Sequence, residues 1–370
     1  MKRLLCIVGS MNAGGAETFL MKIYRIIDKT KYQMDFAVGM SERGVYEDEI
    51  ERLGGKVYRI VPKSQGIIKN YNSIRELVNR ENYKYVMRIS QHSLSALELL
   101  AAKQGGASVR AFRSSNSNTT TGSRKDLLLH RLCQFMPKQF ANVRIAPSTE
   151  AAEFMFGKGC IEKKKAAILC NGLDLGLYKY DSNSRCQIRE ELGLHDCFVI
   201  GHVGRFNQQK NHNFLLEVFK KIKNDEPKAK LVLVGIGELK DSVIKRAKEL
   251  GLDKDIIFTG LRNDVPKLLS AFDMFLFPSL YEGMPNTVIE AQACGLQCII
   301  SDTITKEAKL TENVIFLPIN DGPDKWVEAV RNLREIRNYD RNSIGQTLVD
   351  KGYDINLVAK EFVSLIFHDN

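Results

Sequence analysis

Two glutamates, Glu282 and Glu290, stand eight positions apart in the run Glu-Gly-Met-Pro-Asn-Thr-Val-Ile-Glu. They follow Met274-Phe275-Leu276-Phe277-Pro278, an apolar run that reads as a strand end, so Glu282 is expected in a loop and Glu290 on the next helix. Gly283 and Pro285 between them leave backbone N–H groups open at the helix start, an arrangement that receives anions or hydroxyls. The spacing suits gripping one elongated polar ligand at two points. Upstream, Arg205 and Lys210 are five apart in Gly201-His-Val-Gly204-Arg205-Phe-Asn-Gln-Gln-Lys210, again just after an apolar run. Taken alone, each pair has a plainer explanation. The carboxylates would serve as a first-turn charge and a surface helix residue, the cations as solvated side chains before a helix.

The stretch from Phe277-Pro278-Ser279 through Ala293-Cys294-Gly295, taken with Arg205 and Lys210, resembles the sugar-nucleotide signature of the retaining glycosyltransferases of the GT-B fold, family 4. The resemblance implies roles. A nucleoside diphosphate develops negative charge as its bond to the sugar breaks, and fixed cations at Arg205 and Lys210 would stabilise it most at that moment. Glu282 would hydrogen-bond the donor sugar's hydroxyls, with the backbone of Gly283, Met284, Pro285, Asn286 and Thr287 lining the same pocket. Glu290 would accept the two ribose hydroxyls. Gly204 and Gly235 sit in strand–glycine–helix turns, and Leu261, in Thr259-Gly260-Leu261-Arg262-Asn263, lies in the segment whose backbone reads the base; either turn is also common as an ordinary connection. Gly14 and Gly15, in Gly14-Gly15-Ala16-Glu17, would lie near the donor phosphate, while Glu17 is equally expected as a first-turn helix charge.

The acceptor half resembles the family more loosely. Relatives carry a histidine at the end of the fourth strand that touches the reacting sugar; here those positions are Met87 and Ile89, and His92 stands a few residues later. The alternative for His92 is a loop histidine with no role. The pattern His-Ser-His-Asn is replaced by Arg113-Ser114-Ser115-Asn116, and Asn171-Gly172-Leu173-Asp174, with Tyr178 after it, resembles the Asn-Gly-Val-Asp element that precedes the interdomain linker.

Positioning such residues takes two sheets. Strand-like runs at 3–9, 34–38, 56–60, 84–89, 108–113 and 142–146, then 197–203, 229–234, 255–259, 273–277, 297–300 and 313–317, alternate with helical patterns. Continuous apolar strands between helices predict an α/β protein with two doubly wound parallel sheets. A length of 370 residues allows two domains, each with its own core. The polar stretch 179–185 is the best linker, giving an acceptor domain over 1–185 and a donor domain over 186–353, with a last helix from 354 that crosses back onto the first domain in the resembled fold. In that fold the two Rossmann-like domains face each other across a cleft, and their closure would exclude water.

Charge is distributed unevenly. Residues 1–180 carry 29 Lys+Arg against 16 Asp+Glu, net +13, whereas residues 181–370 carry 25 against 28, net −3. A basic first half suggests an anionic partner: a lipid surface, a pyrophosphate-linked acceptor or, least, nucleic acid, for which no binding module appears. Residues 123–140 form a basic amphipathic segment that would face a membrane or bury its leucines in the first domain. No run reaches the roughly 18 apolar residues of a membrane span, and the N-terminus reads as a first strand rather than a signal peptide. The eight scattered cysteines read as free thiols of a reducing cytoplasm. No cofactor or metal is expected; Asp253-Lys-Asp255 reads as a polar turn before a strand. The expected activity is transfer of a sugar, UDP being the nucleotide favoured by resemblance, to a glycan or lipid-linked hydroxyl in cell-surface polysaccharide assembly, by an enzyme in the cytoplasm or at the inner face of the membrane. A sugar-nucleotide epimerase and a catalytically silent partner subunit remain as alternatives.

Overall fold

The computed structural model describes residues 1–12, 14–115, 123–336 and 340–368. The chain divides into two units, Met1–Gly172 with Gly352–Asn370, and Leu173–Lys351. In the first, strands β1 (Lys2–Val8), β2 (Tyr32–Val38), β3 (Val57–Arg59), β4 (Tyr85–Ser90), β5 (Val109–Ser114), β6 (Val143–Ala146) and β7 (Ala167–Ile168) form one parallel sheet in the order β3-β2-β1-β4-β5-β6-β7. In the second, β8 (Phe198–Val203), β9 (Ala229–Val234), β10 (Ile256–Gly260), β11 (Met274–Phe277), β12 (Gln297–Ser301) and β13 (Val314–Leu317) form another, ordered β10-β9-β8-β11-β12-β13. Both sheets are doubly wound, and the fold class is α/β.

The apolar runs become strands because helices cover both faces of each sheet. Along β1, Leu4, Cys6 and Val8 enter one core while Leu5 and Ile7 enter the other. Along β11, Phe275 and Phe277 point to one face and Met274 and Leu276 to the opposite one. All twelve expected runs are found; the central strands are apolar because they are buried on both sides, whereas β3, β10 and β13 are mostly half-buried and keep a shorter apolar run. The two-residue β7 is additional; half-buried and paired only with β6, it leaves no hydrophobic pattern to read.

One boundary differs from expectation. Residues 173–185 belong to the second unit, not the first: Tyr178 and Tyr180 pack on its core, and the Arg185 guanidinium donates to Asp273 at 2.5 Å. A polar composition concealed this, because the anchoring is by two tyrosines and an ion pair. The helix Ile355–Ile366 lies in the first unit, where Phe362 meets Phe19 edge-on at 6.2 Å. Residues 123–140 also depart from the simpler reading. They form helices Arg124–Leu132 and Phe135–Phe140, but Leu128, Leu132 and Phe135 are 60%, 66% and 53% exposed, so the leucines are not buried in the domain. Of the polar loop 114–122 expected before them, Asn116 and the residues to 122 lie outside the described residues.

Candidate active site

Strand order reverses between β8 and β11 in the second unit, and the two connections leaving their C-terminal ends run side by side. Such a switch point is where doubly wound sheets bind ligands. The loop after β8 carries Gly204, Arg205 and Lys210; the loop after β11 carries Glu282 and Gly283 and leads into the helix Asn286–Ala293, on which Glu290 sits. The two loops are tied together, with Leu280 N–H donating to the Gln209 carbonyl at 2.8 Å and the Gln209 amide donating to the Tyr281 carbonyl at 2.8 Å.

Lys210 and Glu282, 72 residues apart, meet here: Lys210 Nζ lies 2.5 Å from Glu282 Oε1. Both side chains are mostly buried, 15% and 13% exposed, and the ammonium also lies 4.5 Å from the centre of the Phe277 ring. Asn207 sets the lysine's backbone by accepting from its N–H at 3.2 Å. Arg205 differs: it is exposed, with no side-chain hydrogen bond or ion pair to the described residues.

The floor of this region is backbone. Gly204 N–H donates to Val234, Phe206 N–H to Ile236 and Gly235 N–H to Gly260, at 2.9–3.0 Å, stitching together the loops after β8, β9 and β10. A methyl group on Gly235 would sit 2.1 Å from the Gly204 carbonyl oxygen, and one on Gly237 2.4 Å from that of Phe206, so these strands' ends approach as only glycine allows. Lys210 lies across Gly204, its Cε 3.2 Å from where a side chain there would begin. Leu261, just past β10, is 68% exposed. Met284, Asn286 and Thr287 are half-buried, and Gly283 and Pro285 buried, at the helix start where Val288 and Ile289 N–H both donate to the Pro285 carbonyl.

Two features here were not anticipated from sequence. Tyr178 hydrogen-bonds Glu290; burial first, and then the carboxylate's charge, push the phenol well above its ordinary range, so it stays a donor. Its signal in the sequence was only a position in the Asn171–Tyr178 motif. Behind Lys210, His202 and His212 meet edge-on at 4.8 Å. His202 Nδ1–H donates to the Leu276 carbonyl at 2.9 Å, and His212 stacks on Phe206 at 4.2 Å. Burial holds His202 well below the ordinary histidine value and, with Lys210 nearby, lowers His212 to about 4.

The remaining expected residues lie in the first unit. Gly14 precedes the helix Gly15–Ile26, and the Glu17 carboxylate folds back onto it, so that a methyl group on Gly14 would lie 2.3 Å from Glu17 Oε2. Burial raises the Glu17 pKa, opposed by its own backbone N–H and by Arg88. His92 caps the turn Ser93–Ala96, its Nδ1 accepting from Leu94 N–H at 3.1 Å; Nε2–H then donates to the Asp126 carbonyl at 3.3 Å. Both ring nitrogens are thereby engaged. Arg113 is buried over the Phe19 ring at 3.8 Å and donates to Leu169 O and to Asn171 Oδ1, at 3.2 and 2.7 Å. Burial lowers its pKa to about 9. This is how the Asn171-Gly172 turn is anchored. Asp255, of the Asp253-Lys-Asp255 run, pairs with Lys223 and Lys230 at 3.0 and 2.9 Å.

Residues 197–335, which hold this entire switch-point region, match the family model described as glycosyl transferases group 1. Across 357 residues the chain is 32% identical to EpsF of Bacillus subtilis, which carries the name of a glycosyltransferase; the match covers 95% of this chain and 93% of EpsF. The chain belongs to the group 1 glycosyltransferases. This glycosyltransferase is also 30% identical over 240 residues, 64% of its length and 62% of the relative's, to the UDP-Gal:alpha-D-GlcNAc-diphosphoundecaprenol alpha-1,3-galactosyltransferase of Escherichia coli. Its fold matches that of Anabaena HepE, solved in complex with UDP and glucose, with a TM-score of 0.80 at 19% identity over 98% of this chain and 99% of HepE. Among the described residues no helix is long and apolar enough to cross a membrane.

Proposed function

We propose that this glycosyltransferase transfers a hexosyl or N-acetylhexosaminyl group from a UDP-sugar, with retention of configuration, to a hydroxyl of a lipid-linked glycan during cell-surface polysaccharide assembly. The observation that carries the proposal is the Lys210–Glu282 pair at the β8/β11 switch point. It sets a cation beside a carboxylate in a mostly dry, backbone-floored region, where each counts for more than in water. A donor bound there would place its diphosphate against Lys210 and Arg205 and its sugar hydroxyls against Glu282. Arg205, exposed and unpaired among the described residues, is available without breaking a bond. Glu290, oriented by Tyr178, would take the ribose hydroxyls, and the backbone from Gly283 to Thr287, with Gly204, Gly235 and Leu261, would line the nucleotide's path.

In this mechanism charge moves onto the leaving diphosphate as the bond to the sugar breaks, and the two cations stabilise that charge. The diphosphate oxygen then accepts the acceptor hydroxyl's proton on the same face, so retention needs no second carboxylate. His92 is left out of this machinery because its acceptor nitrogen is already used. Gly14 and Gly15 would receive a phosphate only once the Glu17 carboxylate gives way. The E. coli relative named above supports both the UDP donor and the diphosphoundecaprenol type of acceptor. Peripheral contact with an anionic membrane through the basic first half belongs to the same proposal, and places the enzyme at the inner face.

The test is a panel of UDP-, GDP- and ADP-sugars with EDTA present, scoring nucleotide binding and release for wild type and Glu282→Ala. Turnover or tight binding of a UDP-sugar that is lost in the variant is expected, and the anomeric configuration of the product, read by NMR, should be that of the donor. No binding to any donor would overturn the proposal in favour of a silent partner subunit.

A further inference from the structure

The β8/β11 switch point holds a polar atom that the transfer mechanism does not use. His202, one residue before the end of β8, is fully buried. Its Nδ1 carries the ring proton, because that nitrogen donates to the Leu276 carbonyl at 2.9 Å and a carbonyl can only accept. Burial keeps the imidazole neutral, its pKa well below the ordinary range. Nε2 is therefore a bare lone pair, buried and without a hydrogen-bond partner among the described residues. A buried acceptor left unmade is costly, so one retained beside a reacting site calls for an account.

Its surroundings point to Lys210. A methyl group on Gly204 would lie 3.1 Å from His202 Nε2, and 3.2 and 3.3 Å from Lys210 Cε and Cδ. The imidazole nitrogen and the end of the lysine stem thus border one small space, which the glycine leaves clear. Phe277 borders it too: its ring stacks on His202 at 5.4 Å, and Lys210 Nζ lies 4.5 Å from its centre. His212 also has two buried nitrogens without partners, but it stacks on Phe206 and meets His202 edge-on. No hydrogen bond among the described residues fixes which of its nitrogens bears the proton.

An ammonium has three N–H donors, and Lys210 directs one of them at Glu282. A donor bound as proposed above brings sugar hydroxyls to Glu282 and a diphosphate to the lysine, which leaves a third N–H to be satisfied in a mostly dry site. We propose that His202 is a positioning residue, its Nε2 lone pair accepting from the Lys210 ammonium when the donor is bound and so aiming that cation at the leaving diphosphate. Only a neutral ring can do this, since a second N–H would repel the ammonium. A lysine held from behind keeps its charge in place as the bond to the sugar breaks, when that charge counts most. His202 touches neither substrate nor reacting atoms and acts through Lys210. The inference rests on the donor-site reading for the diphosphate, and on the geometry around Gly204 for the lone pair.

The experiment follows the ring nitrogens of the full chain, labelled with isotopic histidine, by two-bond nitrogen–proton NMR before and after saturation with UDP. His202 Nε2 should resonate as an unbonded lone pair in the free protein and move upfield, as a hydrogen-bonded acceptor does, when UDP binds. In Lys210→Met at saturating UDP the movement should be absent. Kinetics scored as UDP release from the sugar donor give the second reading. His202→Asn keeps a donor to the Leu276 carbonyl but has nothing at the Nε2 position; kcat should fall about tenfold, the worth of one hydrogen bond to a charged group, with KM within about twofold. His202→Gln, which returns an acceptor to that position, should recover most of the loss. UDP binding with Nε2 unmoved, movement that persists in Lys210→Met, or a His202→Asn variant with wild-type kcat would overturn the inference alone. No UDP binding by wild type would overturn the donor-site reading and this inference with it. The wild-type spectrum decides even where a His202 variant does not fold.

Discussion

Lys210 Nζ and Glu282 Oε1 stand 2.5 Å apart at the switch point of the second sheet, each satisfying the other in a site where both would be wanted by a ligand. The pair keeps either charge from being buried alone, and it holds the loops after β8 and β11 in register before any donor arrives. Donor binding must therefore share the pair rather than create it.

Breaking the pair from one side should cost more than removing it. Lys210→Met leaves the Glu282 carboxylate mostly buried without its partner and is expected to destabilise the second unit by about 2–3 kcal/mol. Lys210→Met/Glu282→Gln should lose clearly less than the sum of the single variants. Urea denaturation of the four members of the cycle measures the coupling, and an additive result would mean that the pair is not stabilising. Each single variant should also lower turnover by about ten- to a hundredfold, from the loss of one charge-assisted contact.

Gly235 and Gly260 both have positive φ, +142° and +73°, but only the first is crowded. Gly235→Ala would drive a methyl into the Gly204 carbonyl and is expected to cost more than about 3 kcal/mol and to abolish donor binding. Gly260→Ala meets nothing within 4 Å, so only its backbone conformation resists, for about 1 kcal/mol. Paired denaturation curves check the contrast; similar costs at both sites would refute the crowding argument.

Tyr178 holds Glu290 by its phenol, and Tyr178→Phe keeps the ring's packing while removing the donor. If Glu290 takes the ribose, UDP affinity should fall about fivefold, with kcat changing less than KM, in line with a lost hydrogen bond of about 1 kcal/mol. Calorimetric titration with UDP gives the answer. Unchanged affinity would separate Tyr178 from the nucleotide.

His212 is buried as a neutral ring, its pKa lowered from the ordinary 6.5 to about 4. Between those values the unfolded chain binds a proton that the folded chain refuses. The contribution is therefore complete above about pH 6.5 and is lost as pH falls toward 4. His212→Phe, which preserves stacking on Phe206, should narrow the stability difference between pH 7.5 and pH 4.5 by about 2 kcal/mol. Guanidinium melts at the two pH values measure this. An unaltered difference would place the acid sensitivity elsewhere.

The sequence by itself determined the parts whose pattern is local. The central strands were legible because a strand buried on both faces is apolar along its length, the half-buried β3, β10 and β13 by shorter apolar runs, and Glu282, Glu290, Arg205 and Lys210 stood out because their loops follow such strands directly. Tertiary structure alone decided what depends on distant residues meeting. It brought Lys210 to Glu282 across 72 positions, because β8 and β11 are neighbours in the sheet though not in the chain. It gave Tyr178 to the second unit and to Glu290, in a stretch whose polar composition read as a linker. It engaged one nitrogen of His92 in a cap and the other on the Asp126 carbonyl, and it left Leu128, Leu132 and Phe135 in solvent, where an amphipathic pattern cannot say which side of the helix finds a neighbour. Periodicity reports that a face is apolar; only packing decides what, if anything, covers it.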